Sequence, residues 1–219
     1  MACATVWMAI EGPCLAGKTT LGDALVSALG SENVSIIPDY ADFVGGARGM
    51  PDPDPRSWEQ EQDGLEALLE IEVARLRAHR PEPTPALMII DRSVLTLIAH
   101  CAGTDRKDAR DPGFADRAAG VLAGDPRPSW PEGVLYLDVS SEVQMARNRL
   151  GKFAGDSVFV DPAYNAGFRS YFEDRRVRDE RPMGWIDGEA AVEAVLEHAL
   201  RFLSDRLGLD RLVRRSAGR

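Results

Sequence analysis

Several protein classes are excluded by what the chain lacks. No apolar run in its 219 residues reaches the ~18 needed to cross a bilayer, and no basic stretch leads into one at the N-terminus. Neither a membrane span nor a signal peptide is therefore expected, and the expected address is the cytoplasm. Cysteine is scarce: Cys3, Cys14 and Cys101 are odd in number and far apart, which suggests reduced thiols rather than a disulfide framework or a metal cage. His79, His100 and His198 are too scattered for a histidine-based zinc site. Lysine is nearly missing, since only Lys18, Lys107 and Lys152 stand among 26 basic residues. Positive charge is not in excess either. A net charge of −9 argues against general affinity for nucleic acid or anionic lipid. No internal repeat, low-complexity run or linker breaks the chain, so residues 1–219 read as a single domain.

What is present is an alternation of short apolar runs with amphipathic stretches, the pattern of an α/β fold with a parallel sheet flanked by helices. Strands are expected at 5–11 (TVWMAIE), 34–38 (VSIIP), 86–91 (ALMIID), 133–138 (GVLYLD) and 183–187 (MGWID). Helices are expected at 18–29, 58–79, 93–102, within 105–123, from Ser140 or Ser141 to Leu150, at 162–179 and at 189–207. The Pro-, Gly- and Asp-rich stretch 45–56 reads as irregular loop, and PEPTP at 81–85 as a helix stop. The Gly-punctuated stretch 151–162 reads as a mobile loop, and the Arg-rich tail from Arg211 as frayed.

Gly12-Pro13-Cys14-Leu15-Ala16-Gly17-Lys18-Thr19 matches G-x-x-x-x-G-K-[ST], and Thr20 follows it. The context fits as well, because the motif leaves an apolar strand and opens a helix. Glycines let the backbone curl so that amides face phosphate oxygens, and the helix adds its positive end. Lys18 is expected on the β- and γ-phosphates of ATP, and the Thr19 hydroxyl on Mg²⁺. Asp91-Arg92-Ser93 ends the third strand on the same sheet edge. Asp91 there serves Mg²⁺ or caps a helix; Arg92 clamps phosphate or forms a surface ion pair. An Asn-Lys-x-Asp guanine reader is missing, and Asp-Arg stands where motor ATPases carry Asp-Glu.

With Ile10-Glu11-Gly12, Ala16-Gly17-Lys18-Thr19-Thr20, Asp91-Arg92-Ser93, Tyr136-Leu137-Asp138, Arg147, Arg149 and Trp185-Ile186-Asp187, most of the chain resembles the P-loop thymidylate kinase and deoxynucleoside kinase group. The resemblance implies a five-stranded parallel sheet and a small arginine-bearing lid, at about 147–162 in this numbering. Arg147 and Arg149, with Lys152 behind them, are then lid candidates that neutralise developing charge; otherwise they form a solvated basic helix end. Cys14 replaces the Asp that thymidylate kinases often carry in the cradle, and Leu97 and His100 stand where they read thymine. Asp39 takes the position of the Glu that deoxynucleoside kinases use as general base.

Asp39 separates the subclasses. A hydroxyl acceptor needs a base, whereas a phosphate acceptor needs positive clamps, for which Arg75, Arg77 and Arg92 are available. The expectation leans to Asp39 as base and a hydroxyl acceptor, against a turn-forming Asp. Tyr40, Phe43 and Trp58 either stack on an acceptor ring or pack internally, and His100 either faces the acceptor or is structural. The expected partner is a small-molecule phosphate acceptor: a nucleoside, a nucleoside monophosphate or another metabolite. A homodimer is possible through the apolar positions of the helix at 58–79. A nucleotide-binding regulator without catalysis remains the alternative from another class.

Overall fold

A computed structural model describes residues 5–79, 85–111, 113–178 and 181–208. Cys3, positions 81–84 of the Pro-rich stop and the tail from Arg211 lie outside these. Five strands, β1 (Val6–Glu11), β2 (Val34–Ile37), β3 (Leu87–Asp91), β4 (Gly133–Asp138) and β5 (Met183–Asp187), form one sheet in the order β2-β3-β1-β4-β5. Every pairing is parallel. Helices on both faces explain why β1, β3 and β4 are almost wholly apolar: neither face meets water.

Alternate residues serve the two layers. Met8, Ile10, Leu87, Ile89, Leu135 and Leu137 pack beneath α1 (Lys18–Leu29) and α8 (Val192–Leu207). Ala9, Val134 and Tyr136 point the other way, towards α4 (Val94–Asp108) and α7 (Pro162–Arg178), where Phe168 and Phe172 fill the core. The third helix on that side, α3 (Trp58–Ala78), buries Glu61, Leu65, Leu69, Glu72 and Leu76 at helical spacing. Ser57 accepts from Gln60 N and caps it. No helix among the described residues is long and apolar enough to cross a membrane.

Three local expectations need correction. The helix expected at 93–102 continues through Gly103 to Asp108, and α5 (Ala115–Gly124) is separate. A Cβ on Gly103 would sit 2.6 Å from the Tyr164 ring, so glycine there serves the close approach of α7. The stretch 45–56 contains a 3₁₀ turn at Ala47–Gly49 and follows a short helix, α2 (Tyr40–Phe43), that periodicity did not show. The stretch 151–162 is not loop throughout: a 3₁₀ turn at Val158–Val160 buries both valines. Of the two serines offered as cap for α6 (Ser141–Arg147), Ser140 serves, accepting from Val143 N.

The sheet order puts the site where it is. The chain passes from β1 to one side of the sheet and returns to β1's other side only with β4, so the carboxyl end of β1 is the topological switch point. The segment after β1 is Gly12–Gly17.

The α4–α7 contact yields a stability test. A Cβ on Gly167 would lie 2.4 Å from the Ala102 carbonyl oxygen, which is backbone and cannot move aside. Gly167→Ala is expected to lower the unfolding free energy in urea by ~1–3 kcal/mol. Gly120→Ala, at an exposed position of α5 with open space around it, is expected to be neutral or stabilising. Equal effects of the two would contradict this packing.

Candidate active site at the carboxyl edge of the sheet

The cradle curls through positive φ at Gly12 (138°), Leu15 (66°) and Gly17 (98°). Gly12 is obligatory, since a Cβ would come within 2.5 Å of the Leu137 carbonyl oxygen. Leu15 is not glycine and is strained there, so other contacts must hold it. Side chains occupy four consecutive carbonyls. Lys18 Nζ donates to Pro13 O (3.1 Å), Gln144 Nε2 to Cys14 O (3.0 Å), and Arg147 Nη1 to Leu15 O (3.0 Å) and Ala16 O (3.1 Å). A backbone curl of this kind makes a concave anion nest, and α1 opens directly behind it. Lys18 is buried, and burial together with the nearby Arg92 charge pushes its ammonium below the ordinary value. Thr20 is exposed on the first turn of α1.

β3 delivers the acidic partner. Asp91 Oδ2 accepts from Thr19 Oγ1 (3.2 Å), while Asp91 Oδ1 is buried without a hydrogen-bond partner. Burial raises its pKa against the pull of Lys18. A hydroxyl and a carboxylate with an unused buried oxygen suit Mg²⁺, which keeps most of its shell for water and phosphate. Among the described residues no three His, Cys, Asp or Glu form a self-sufficient cage. The residues present thus fit a magnesium ion that arrives with phosphate.

The turn after β3 is held by two buried charges. Arg92 sits at φ 61°, its N–H donating to Ile10 O (3.1 Å). Glu11, fully buried, accepts from Ser93 N (2.8 Å), Ser93 Oγ (2.7 Å) and Thr96 Oγ1. Burial raises the Glu11 pKa, and these donors oppose the rise. Arg75, also fully buried, supplies the second brace. Its Nε and Nη2 pair with Glu72 (2.7 and 2.6 Å), Nη1 donates to Pro38 O (2.7 Å) and Asp91 O (3.0 Å), and Nη2 donates to Arg92 O. Four guanidinium N–H groups are thus hydrogen-bonded, and Nη2 also lies in the ion pair with Glu72.

The chemistry-bearing ends meet here. Arg92 Nε donates to Asp39 Oδ2 (3.0 Å), and Arg92 Nη2 lies 3.3 Å from Cys14 Sγ. Asp39 Oδ1 accepts from Ala41 N (3.4 Å), capping α2. Burial alone would raise the Asp39 pKa, but Arg92 and then Lys18 outweigh it and hold the carboxyl below its ordinary value. Lys18, Thr19, Asp39 and Asp91 line one cavity of about 260 Å³, and Asp42 and His79 line it too.

The structure reassigns several expected contacts. Arg75 is no phosphate clamp, because its donors are bound to the protein; Arg77 is exposed. Tyr40 is buried with the Arg75 guanidinium 3.8 Å from its ring centre, so it offers no open stacking face. Trp58 packs edge-on against Phe114 (5.7 Å) and Phe43 against His79 (6.0 Å). His100 Nδ1 bonds Tyr164 Oη (2.8 Å), and burial pushes its pKa down to about 4. It links α4 to α7. Arg147 is no arm of the lid; besides the cradle it donates to Gly188 O (2.8 Å). Arg149 and Lys152 remain exposed beyond it. Sequence reasoning missed Gln144 and Glu72, which no motif marks. Glu11 entered only within the Ile10-Glu11-Gly12 stretch of the resemblance, with no role assigned to it.

No family model matches the chain, and no curated protein matches it in sequence. Solved structures do. The chain is similar to deoxyadenosine kinase from M. mycoides with bound dATP, with a TM-score of 0.61 at 16% identity, covering 90% of this chain and 98% of that one. It is also similar to thymidylate kinase from Candida albicans, with a TM-score of 0.67 at 14% identity, covering 94% and 93%. The fold is that of the P-loop deoxynucleoside and thymidylate kinases.

Asp39 carries a pH signature. Its folded pKa lies below the ordinary 3.8, so its ionisation favours the folded state. That contribution is complete above the ordinary value and is lost as pH falls through the lower folded one. Urea unfolding across pH should show wild type more stable than Asp39→Asn at neutrality, with the gap closing in acid. A gap independent of pH would contradict the Arg92–Asp39 pairing.

Proposed function

We propose that the chain is an ATP-dependent phosphotransferase that moves the γ-phosphoryl group to a hydroxyl of a nucleoside or nucleoside-like small molecule. The observation that carries this reading is the placing of Asp39 beside Arg92, in the cavity that Lys18, Thr19 and Asp91 line. The cradle amides and Lys18 bind the β- and γ-phosphates. Magnesium, held through Thr19 and Asp91, supplies charge neutralisation on those phosphates when bound.

Asp39 accepts the acceptor's hydroxyl proton as the new O–P bond forms and the bond from the γ-phosphorus to the ADP oxygen breaks. A carboxylate held ionised by Arg92 is a weak base in the ground state. In a loose phosphoryl transition state the hydroxyl proton becomes acidic late, so orientation counts for more than base strength. Arg92, held on three sides by Asp39, Cys14 and its own braced backbone, stabilises charge on the transferring group. With Arg147 committed to backbone carbonyls, Arg149 or Lys152 is the arginine or lysine left for lid closure.

A second reading keeps the fold and takes a nucleoside monophosphate as acceptor; the likeness to a thymidylate kinase structure favours it. Against it stand the negative charge of Asp39 at the acceptor end and the full commitment of Arg75.

ADP release from Mg·ATP, measured on nucleosides and their 5′-monophosphates in parallel, distinguishes the readings. Turnover on a nucleoside is expected, abolished in Lys18→Ala and reduced by about 10²–10⁴ in Asp39→Asn. Turnover on a monophosphate that survives Asp39→Asn would overturn the role of Asp39. ATP binding with silence on both panels would overturn the nucleoside class and turn the search to other metabolites or to a regulatory role.

A further inference from the structure

The 3₁₀ turn at Val158–Val160 and the phosphate cradle at Gly12–Gly17 are far apart along the chain, yet one buried amide joins them. Gln144 is only 1% exposed on a helix of seven residues whose neighbours Met145, Ala146 and Arg147 face solvent. Its Nε2 donates to Cys14 O (3.0 Å) in the cradle and to Phe159 O (2.9 Å) in the turn. Its Oε1 accepts from Asn165 Nδ2 (2.7 Å) on α7, and that same Nδ2 lies 3.3 Å from Phe159 O. Both donors and the carbonyl of the amide are thus engaged, so the side chain cannot rotate without losing all three contacts. Loss of the Phe159 contact frees the amide to turn, and turning removes the donor from Cys14 O.

The cradle is the place where such a link matters. Cys14 O precedes Leu15, a non-glycine held at φ 66°, and the next two carbonyls are held by Arg147 from the same helix. The lid side is tied to that helix too, since Asn148 Nδ2 donates to Phe153 O and its Oδ1 accepts from Phe153 N (both 3.0 Å). α6 therefore has the cradle on one side and the 153–161 segment on the other, with Gln144 touching both.

We infer that Gln144 is a positioning residue that couples the order of the 153–161 segment to the shape of the phosphate cradle, so that closure of one tightens the other. As a route to phosphate binding this rests on the proposed kinase reading; the coupling itself is a property of the polypeptide. Anything that docks the turn at Val158–Val160 stabilises the conformation of Cys14 and Leu15 that receives phosphate. Nucleotide in the cradle in turn protects the turn.

Gln144→Met keeps the length and removes both donors and the acceptor. Hydrogen exchange of the free protein is expected to rise about tenfold at both places together, in the cradle at Ala16 N and in the turn at Val160 N and Asp161 N, with a similar weakening of Mg·ATP binding by calorimetry. The KM for acceptor stays near wild type while that for ATP rises, a split that simple loss of stability would not produce. Faster exchange at only one of the two places overturns the inference, as does unchanged ATP affinity with both places loosened. Should Gln144→Met not fold, Asn165→Ala leaves both donor bonds of Gln144 in place but frees its carbonyl. It is expected to loosen both places together to a smaller degree, and loosening confined to 158–165 overturns the coupling. If wild type binds no ATP, the kinase reading fails, while the exchange result still decides the role of Gln144.

Discussion

The candidate site at the carboxyl edge of the sheet depends on one buried guanidinium. Arg75 reaches from the last turn of α3 to the ends of two strands and donates to the carbonyls of Pro38, Asp91 and Arg92. Those carbonyls immediately precede or belong to the residues that bear the chemistry: Asp39 follows Pro38, and Asp91 and Arg92 are adjacent. A charge with no solvent exposure is costly to bury unless it is paired and fully hydrogen-bonded. Glu72 provides the pairing, the three carbonyls provide the remaining acceptors, and the Tyr40 ring covers the cation at 3.8 Å. Breaking such a pair costs about 3–5 kcal/mol, so the arrangement is hard to deform once made. This is why Arg92 can be held at a positive φ with its side chain aimed at Asp39.

Glu11 does the corresponding work from the other side of the same turn. It takes three donors from Ser93 and Thr96 and so fixes the first turn of α4 against β1. Between Glu11 and Arg75 the Asp91-Arg92-Ser93 turn has almost no freedom, and the cradle lies next to it on the adjoining strand. The cradle is restrained in the same manner, by Gln144 and Arg147 on its outward carbonyls. The phosphoryl transfer proposed above asks mainly for positioning and fixed charge, and the investment in backbone-directed side chains matches that requirement.

The legible parts of the sequence were those governed by neighbours along the chain. Three central strands show themselves because burial on both faces leaves only apolar residues, and the cradle shows itself because its glycines, Lys18 and Thr19 act within eight positions. Asp91 followed from parallel strands sharing one edge. The errors fall where a side chain is claimed by distant backbone. Arg75 bonds carbonyls up to 37 positions away, so nothing local marks it as internal. Arg147 reaches back 132 positions to Leu15 O. Tyr40 and His100 belong to packing that forms only when α3, α4 and α7 come together. The end of α4 was set too early, at Ala102, because the packing of Gly103 against the Tyr164 ring that carries the helix on to Asp108 is a contact with a distant helix.

The carbonyl clamp of Arg75 sets the acceptor end of the site without building the phosphate cradle. Arg75→Lys tests it most directly, since lysine keeps the charge beside Glu72 but cannot reach three carbonyls at once. In folded variant the account predicts Mg·ATP affinity within about threefold of wild type and acceptor turnover lower by roughly 10²-fold, the size of effect expected from a ~1 Å misplacement. Turnover equal to wild type, or loss of ATP binding with turnover per bound ATP preserved, would contradict it.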